Sequence, residues 1–182
     1  MAITRIGPNQ SINLASNVTG TLPAANVANS TLNNVTALPA AIPTGTVLQV
    51  VTANENTVRT TTSTSFVTGT LAVSITPSSS SNKVFVVTSG TCYYNQSNKR
   101  FRATIYRGST NLDGDGSNGL IQGYAGSSTI LSSMGMTILD SPSTTSSTTY
   151  TIYFRADDSG GGTAYLGEYN VRKCITAFEI AG

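Results

Sequence analysis

The 182-residue sequence contains no histidine, so the commonest general base and the commonest metal ligand of proteins are both absent. Charged residues are scarce as well, at 10% of the chain against roughly 25% in ordinary soluble domains. Serine is abundant, but without histidine no evident base is available to activate one as a nucleophile. The composition therefore predicts a polar protein that is not an enzyme and that requires no cofactor.

Three further features are missing: a secretory signal, a membrane span and a dense basic stripe. Met1 is followed by Ala-Ile-Thr-Arg rather than by a basic stretch and an apolar run, and no window approaches the ~20 apolar residues of a span. The net charge is only +2, and the basic residues are scattered apart from Lys99, Arg100, Arg102 and Arg107. We therefore expect synthesis in the cytoplasm, no membrane insertion and no nucleic-acid binding.

Only two cysteines are present, Cys92 and Cys174, and they lie far apart in the sequence. A reducing compartment of synthesis favours two free thiols, while a disulfide between them is the alternative.

A polar segment rich in Asn, Thr, Ser, Ala and Gly occupies residues 11–43, and Pro23, Pro39 and Pro43 interrupt it. Its apolar residues stand singly, roughly four or five positions apart, so they match neither a helical stripe nor the alternation of a strand. Such a segment buries little surface alone, so we expect an extended arm over residues 11–45 that is either disordered or held by other chains. The apolar residues of the arm include Leu14, Val18, Leu22, Val27, Leu32, Val35 and Leu38.

Residues 1–10 form a short apolar tip that contains Ile3 and Ile6 and breaks at Gly7-Pro8. Left free, such a tip would fray. The alternative hypothesis is that Ile3, Ile6 and Pro8 anchor the chain in a larger assembly.

The residue pattern changes at Thr46, where segments rich in β-branched residues and segments of alternating polarity begin. Residues 46–52 and 57–66 predict a first hairpin, and Leu71, Val73 and Ile75 alternate with polar residues as in a half-buried strand. Phe101, Ala103 and Ile105 alternate in the same way, and residues 174, 176, 178 and 180 share one face of a closing strand. Eight or nine short strands without a periodic helix predict a single antiparallel β-sandwich over residues 46–182, resembling a jelly roll.

The run DGDGSNG at residues 113–119 has the spacing of oxygen ligands found in many calcium loops. Asp113, Asp115 and Asn118 would supply the ligands. The motif lacks a distal bidentate glutamate, and DG and NG pairs are strong turn formers, so a plain turn without metal is the favoured interpretation.

Tyrosines gather at the ends of several predicted strands, near carboxylates and amides. Tyrosine combines a flat apolar face with a hydroxyl, so these side chains could bind a glycan, although ordinary packing at the rim of a sandwich would also explain them. The residues of this candidate surface are Tyr93, Tyr94, Tyr124, Asp157, Tyr165 and Tyr169.

Several runs of the sequence resemble tailed-bacteriophage fibre proteins. LASNVTGTLPAAN at residues 14–26 is similar to their T-G-T-L-P-x-A-N linker repeats, although Val27-Ala28-Asn29 replaces the Gly-Gly-Thr-Gly stretch that usually follows. The distal domains of such fibres resemble this chain in TIYRGSTNL at residues 104–112, LDSP at 139–142, TYTIYFR at 149–155 and ITAFEI at 175–180.

The resemblance implies a homotrimeric tail fibre or spike of the virion that attaches to a host-surface polysaccharide without cleaving it. The tip would be fixed to baseplate, tail or capsid proteins, and three arms would turn their apolar residues toward a shared axis. Weak contacts of several subunits with the receptor would then add through multivalency. The alternative is a head fibre or capsid decoration protein anchored to the shell by its N-terminal arm.

Overall fold

The computed structural model describes residues 44–127, 129–157 and 162–182, which contain eleven β-strands. The predicted tip, with Ile3, Ile6 and Pro8, and the predicted arm residues Leu14, Val18, Leu22, Val27, Leu32, Val35 and Leu38 lie outside the described residues. The strands are β1 (Val47–Glu55), β2 (Arg59–Thr61), β3 (Val67–Ile75), β4 (Lys83–Tyr94), β5 (Lys99–Arg107), β6 (Thr110–Asn111), β7 (Ile121–Ala125), β8 (Ile130–Asp140), β9 (Thr148–Ala156), β10 (Ala164–Leu166) and β11 (Lys173–Ile180).

The strands form two antiparallel sheets, as predicted for an all-β sandwich. In sheet A the strand order is β1-β11-β4-β10-β2, and β11 and β10 pair with successive parts of one edge of β4. β8 pairs with the opposite edge of β4. Sheet B runs β3-β9-β5, with β6 and β7 both paired to the far edge of β5. Among the described residues no helix occurs, and accordingly none that could span a membrane.

One apolar core lies between the two sheets and is built by alternate residues of their strands. The sequence prediction of strand faces is confirmed where it named inward residues, because each of them is buried: Leu71, Val73, Ile75, Phe101, Ala103 and Ile105. Large side chains such as Tyr94, Tyr150 and Phe154 fill the centre. At about 1.5–3 kcal/mol for each large apolar side chain buried, this core is the main source of stability.

The predicted hairpin of residues 46–52 with 57–66 is wrong. β1 pairs with β11, and the short β2 pairs with β10, so the two neighbouring segments never contact each other as strands. Long-range matching of core faces decides the pairing here, because Val51 and Ala53 of β1 pack against the core beside β11. Residues 62–66 then leave sheet A altogether.

The closing strand β11 shows which face of an alternating strand is buried. Cys174, Thr176, Phe178 and Ile180 do share a face, but it is the outer one, and Lys173 and Glu179 are among the buried residues of the inner face. Both charges have partners. The Nζ of Lys173 donates to the carbonyl oxygen of Thr57 at 2.5 Å and lies 3.7 Å from Glu55. Burial lowers the pKa of Lys173, while Glu55 opposes that shift.

Glu179 is enclosed by donors at the opposite end of the sandwich. Its carboxylate accepts hydrogen bonds from the side chains of Gln49 and Asn82, each at 2.6 Å, and from the backbone and hydroxyl of Ser78 at 2.6 and 2.7 Å. Burial acts to raise the pKa of Glu179, but the hydrogen bonds from Gln49, Asn82 and Ser78 outweigh it, so the pKa lies below its usual value. This carboxylate therefore joins β1, β11 and the turn before β4.

Candidate functional site

Two loops fold over the outer face of sheet B and leave a cleft between them. The first is residues 62–66, before β3, and the second is residues 108–120, which contains β6 and returns the chain to β7. Backbone hydrogen bonds fasten the second loop to β5: Leu112 donates to the carbonyl of Ile105 at 3.0 Å, and Leu120 donates to that of Ala103 at 2.9 Å. The second loop therefore has a fixed position against the sheet.

Arg155 of β9 joins the two loops across the cleft. Its Nη1 donates to the carbonyl oxygen of Thr64 at 2.8 Å, and its Nη2 donates to that of Ser117 at 2.7 Å. The planar guanidinium has several donors in a fixed arrangement, so one side chain can hold both loops. The same group lies 3.2 Å from Asp157 and 5.2 Å over the ring of Phe66. With these partners, Arg155 is a positioning group and is not free to pair with an anionic ligand.

Two aromatic rings line the cleft, and a third stacks on one of them. Tyr106 of β5 stacks on Tyr153 of β9 with ring centroids 3.9 Å apart, and Phe66 meets the edge of Tyr106 at 6.4 Å. Tyr106 and Tyr153 are diagonal neighbours across the β5–β9 pair, within reach for long side chains on one sheet face. The two tyrosine rings are therefore presented on the sheet, and the Phe66 ring is supplied by the first loop.

The cleft between the loops has a volume of about 390 Å³ and combines these rings with hydroxyl and backbone groups. Partial burial raises the pKa of Tyr106, and the nearby groups of Asp113 and Tyr153 raise it further. The phenol therefore keeps its proton at neutral pH and can act as a hydrogen-bond donor. The cleft is lined by Thr64, Ser65, Phe66, Tyr106, Gly116, Ser117 and Arg155.

Gly119 lets the second loop approach β5 closely. Its φ is +76°, and a Cβ there would lie 2.6 Å from the carbonyl oxygen of Ala103 and 3.2 Å from the ring of Phe66. Any other residue would have to push the loop or the ring away. The shape of the cleft thus depends on Gly119, the last residue of the DGDGSNG run.

The carboxylates of the loop that was the weaker candidate for calcium accept hydrogen bonds from the loop itself. Asp113 accepts from the backbone N–H groups of Gly116 at 2.6 Å and Gly119 at 2.8 Å, and Asp115 accepts from those of Ser117 and Asn118, both at 2.8 Å. Backbone hydrogen bonds from Asn118 and Ser117 hold the pKa of Asp115 well below its usual range. Oxygens used in this way define a turn, and the described part of the chain contains no cluster of three or more acidic or sulfur ligands.

A small ionic cluster lies beside the cleft on the same face. Arg100 and Arg102 of β5 contact Asp157 at 3.4 and 2.8 Å, in addition to Arg155 at 3.2 Å. Arg102 also donates to the side chain of Asn118 in the second loop. The cluster thus connects the end of β9 to the second loop through Arg102, and it supports the cleft from one side.

The predicted tyrosine surface is divided among several places. Tyr93 and Tyr165 lie together on the outer face of sheet A, with ring centroids 5.0 Å apart. Tyr124 lies on sheet B, and the guanidinium carbon of Arg100 is 5.2 Å from the centroid of the Tyr124 ring. Arg100 in turn contacts Asp157, so Tyr124 is close to the Asp157 cluster.

The remaining two tyrosines of the predicted surface are separate from both groups. Tyr94 is fully buried in the core and presents no surface to a ligand. Tyr169 is 78% exposed in a turn, with a positive φ of 50°. The structure therefore brings the predicted residues together only in pairs.

Sequence reasoning missed the cleft because its lining comes from four separate segments, at residues 64–66, 106, 116–117 and 155. Phe66 precedes β3, whereas Tyr106 and Arg155 are the penultimate residues of β5 and β9. The available signal was the outward position of Arg102, Tyr106, Tyr153 and Arg155 on alternating strands, which marks a sheet face with unusual aromatic and basic content. Neither a protein-family model nor a curated protein matches the sequence.

Proposed function

We propose that the chain is a structural subunit of a phage fibre or spike, assembled as a homotrimer, and that the cleft on sheet B binds a glycan of the host surface without cleaving it. The observation that carries the glycan-binding part is the pairing of aromatic faces with hydroxyl and backbone groups in one cleft of about 390 Å³. Sugars have apolar C–H faces and many hydroxyls, so they need both kinds of contact. The fibre assignment is supported by the sequence runs that resemble that family.

The charge distribution favours a neutral glycan. The guanidinium of Arg155 is occupied by Thr64, Ser117 and Asp157, and Asp113 adds negative charge close to Tyr106. A carboxylate or sulfate group would meet few free donors there and would be repelled by the second loop. A hexose hydroxyl can instead exchange hydrogen bonds with the Tyr106 phenol and the hydroxyls of Thr64, Ser65 and Ser117.

A glycan array with the purified full-length chain tests this function. We expect binding to neutral polysaccharides, an affinity about tenfold lower for Phe66→Ala and Tyr106→Ala, and no change for Tyr169→Ala, an exposed tyrosine outside the cleft. Product analysis by mass spectrometry should find the bound glycan intact. The proposal is wrong if the wild-type chain binds no glycan, or if all three variants bind equally.

The position on the particle is tested separately by immunogold labelling of phage particles that contain this chain. Label on the tail supports the fibre or spike, and label on the head supports a decoration protein anchored to the shell. Label on neither part would contradict a virion role altogether.

A further inference from the structure

The outer face of sheet A carries an apolar row that crosses four adjacent strands. Val50 of β1 pairs with Phe178 of β11, Phe178 with Phe85 of β4, and Phe85 with Leu139 of β8. Val50 and Leu139 are each 54% exposed, and the rings of Phe85 and Phe178 lie 6.1 Å apart. Scattered exposed apolar residues need no explanation, but a continuous row across four of the six strands of sheet A marks an interaction surface.

The next row on this face is also suited to burial. It consists of Thr52, Thr176, Val87 and Thr137 in the same cross-strand order, and the hydroxyls of Thr52 and Thr176 hydrogen-bond each other at 2.5 Å. Hydroxyls that already have a partner are less costly to remove from water than free ones. The Thr52 and Thr176 hydroxyls of this row can therefore be covered at a lower cost than free hydroxyls.

The charge of the face identifies its partner. Among the described strand residues on this side of sheet A, Lys83, at the margin, is the only charged one. A face with a single charge at its margin shows little repulsion toward a second copy of itself, and it offers little to a partner recognised by charge. Apolar rows of identical copies, in contrast, match one another in chemistry and in spacing.

We propose that the outer face of sheet A is where copies of this chain pack on one another, with the Val50–Phe178–Phe85–Leu139 row turned toward the shared axis. This inference rests on the homotrimer of the proposed function and specifies its interface. The 43 residues before Thr44 join the sandwich just ahead of Val47, at the end of β1 nearest to this row. Packing through this face therefore brings the Val47 ends of β1 of the copies toward the same axis.

The test measures the mass of the full-length chain by size-exclusion chromatography with light scattering. We expect three times the 18.8 kDa monomer mass for the wild type, and the monomer mass for Val50→Glu and for Leu139→Glu. Both side chains are half exposed, so the variants should fold, which circular dichroism verifies. Val171→Glu is the matched control, because it introduces the same charge at a residue that is 41% exposed but lies outside the strands, and it should remain trimeric.

Labelling of Cys174 gives a second readout of the same interface that does not depend on measuring mass. This thiol lies on the same outer face, one row beyond Thr176, whereas Cys92 is buried. We expect a thiol reagent to modify Cys174 at least tenfold more slowly in the wild type than in Val50→Glu. Equal labelling rates, or trimeric Val50→Glu and Leu139→Glu chains, would overturn the interface but not the trimer.

A monomeric wild type would overturn both the interface and the trimer. Dissociation of Val171→Glu would also overturn the inference, since the effect would then follow from added charge rather than from this face. An intact trimer that binds no glycan would contradict the proposed glycan binding alone. The failure of each proposal is thereby distinguishable from the failure of the other.

Discussion

Arg155 donates a hydrogen bond to the carbonyl oxygen of Ser117 at 2.7 Å, and so connects the end of strand β9 to a loop residue that lies 38 positions earlier in the chain. The same guanidinium reaches Thr64, 91 residues earlier. One side chain on a rigid strand therefore determines the distance between both walls of the cleft.

Replacing Arg155 should loosen those walls without damaging the core. We expect Arg155→Met to lower the free energy of unfolding by about 1–2 kcal/mol, because two carbonyl oxygens lose a charged donor, and to increase hydrogen exchange in residues 108–120. Urea unfolding and peptide-level exchange measure these effects. Arg172→Met, a change at an exposed arginine outside the cleft, is the control and should leave both unchanged. Unaltered exchange in Arg155→Met would show that the loops are held by other contacts.

Glu179 should make stability depend on pH in the acid range. Its folded-state pKa is lowered, so its contribution is fully present above the unfolded-state pKa of about 4.3 and is lost as the pH falls through the folded value. We expect Glu179→Gln to cost about 2–4 kcal/mol at pH 7, because a buried amide replaces a carboxylate among four donors. The variant should also show a flatter loss of stability below pH 5. Urea unfolding from pH 7 to pH 3 measures both, with Glu168→Gln as the charge-matched control; parallel pH profiles would refute the assignment.

Cys92 should resist thiol reagents as long as the sandwich is folded. Burial raises the pKa of its thiol to about 11, so almost no reactive thiolate exists at pH 8, and its side chain lies in the core. In Cys174→Ala, where Cys92 is the only cysteine, labelling should begin only at the urea concentration that unfolds the protein. Rapid labelling in buffer would mean that β4 opens locally near Cys92.

Calcium should leave the protein unchanged. The carboxylate oxygens of Asp113 and Asp115 accept hydrogen bonds from the loop backbone, so binding of an ion would require the turn to be rebuilt. We expect no shift of the thermal midpoint at millimolar calcium and no heat in a calorimetric titration. Magnesium at equal ionic strength controls for salt effects, and a rise specific to calcium would establish the metal site.

The sequence predicted the class of fold because alternation with a period of two is a local property. Leu71, Val73 and Ile75 must share a face in any strand, and without helices such faces can be buried only against other strands. The pairing partners of each strand, in contrast, depend on residues that are distant in the sequence. Residues 46–52 and 57–66 look like a hairpin locally, but β11, more than a hundred residues away, competes successfully for β1.

The face of β11 and the cleft could not be predicted for a related reason. Phe178 lies outside and Glu179 inside, because Gln49, Ser78 and Asn82 supply donors that the sequence alone does not place around a carboxylate. Likewise, Phe66, Tyr106 and Arg155 become neighbours only when two loops fold onto sheet B. Tyr93 and Tyr94 show the same limit: adjacent in sequence, they lie on opposite sides of one strand, one near the surface and one in the core.

The position of β11 between β1 and β4 governs when the chain can fold. Among the described strands β1 pairs only with β11, which follows it by more than a hundred residues. Until β11 is synthesised, β1 and residues 83–89 along one edge of β4 have unpaired backbone groups. Such open edges are templates for pairing with other chains. Sheet A is therefore completed only after β11 has left the ribosome, and a chain that ends before residue 173 should accumulate as aggregate rather than as a shortened domain.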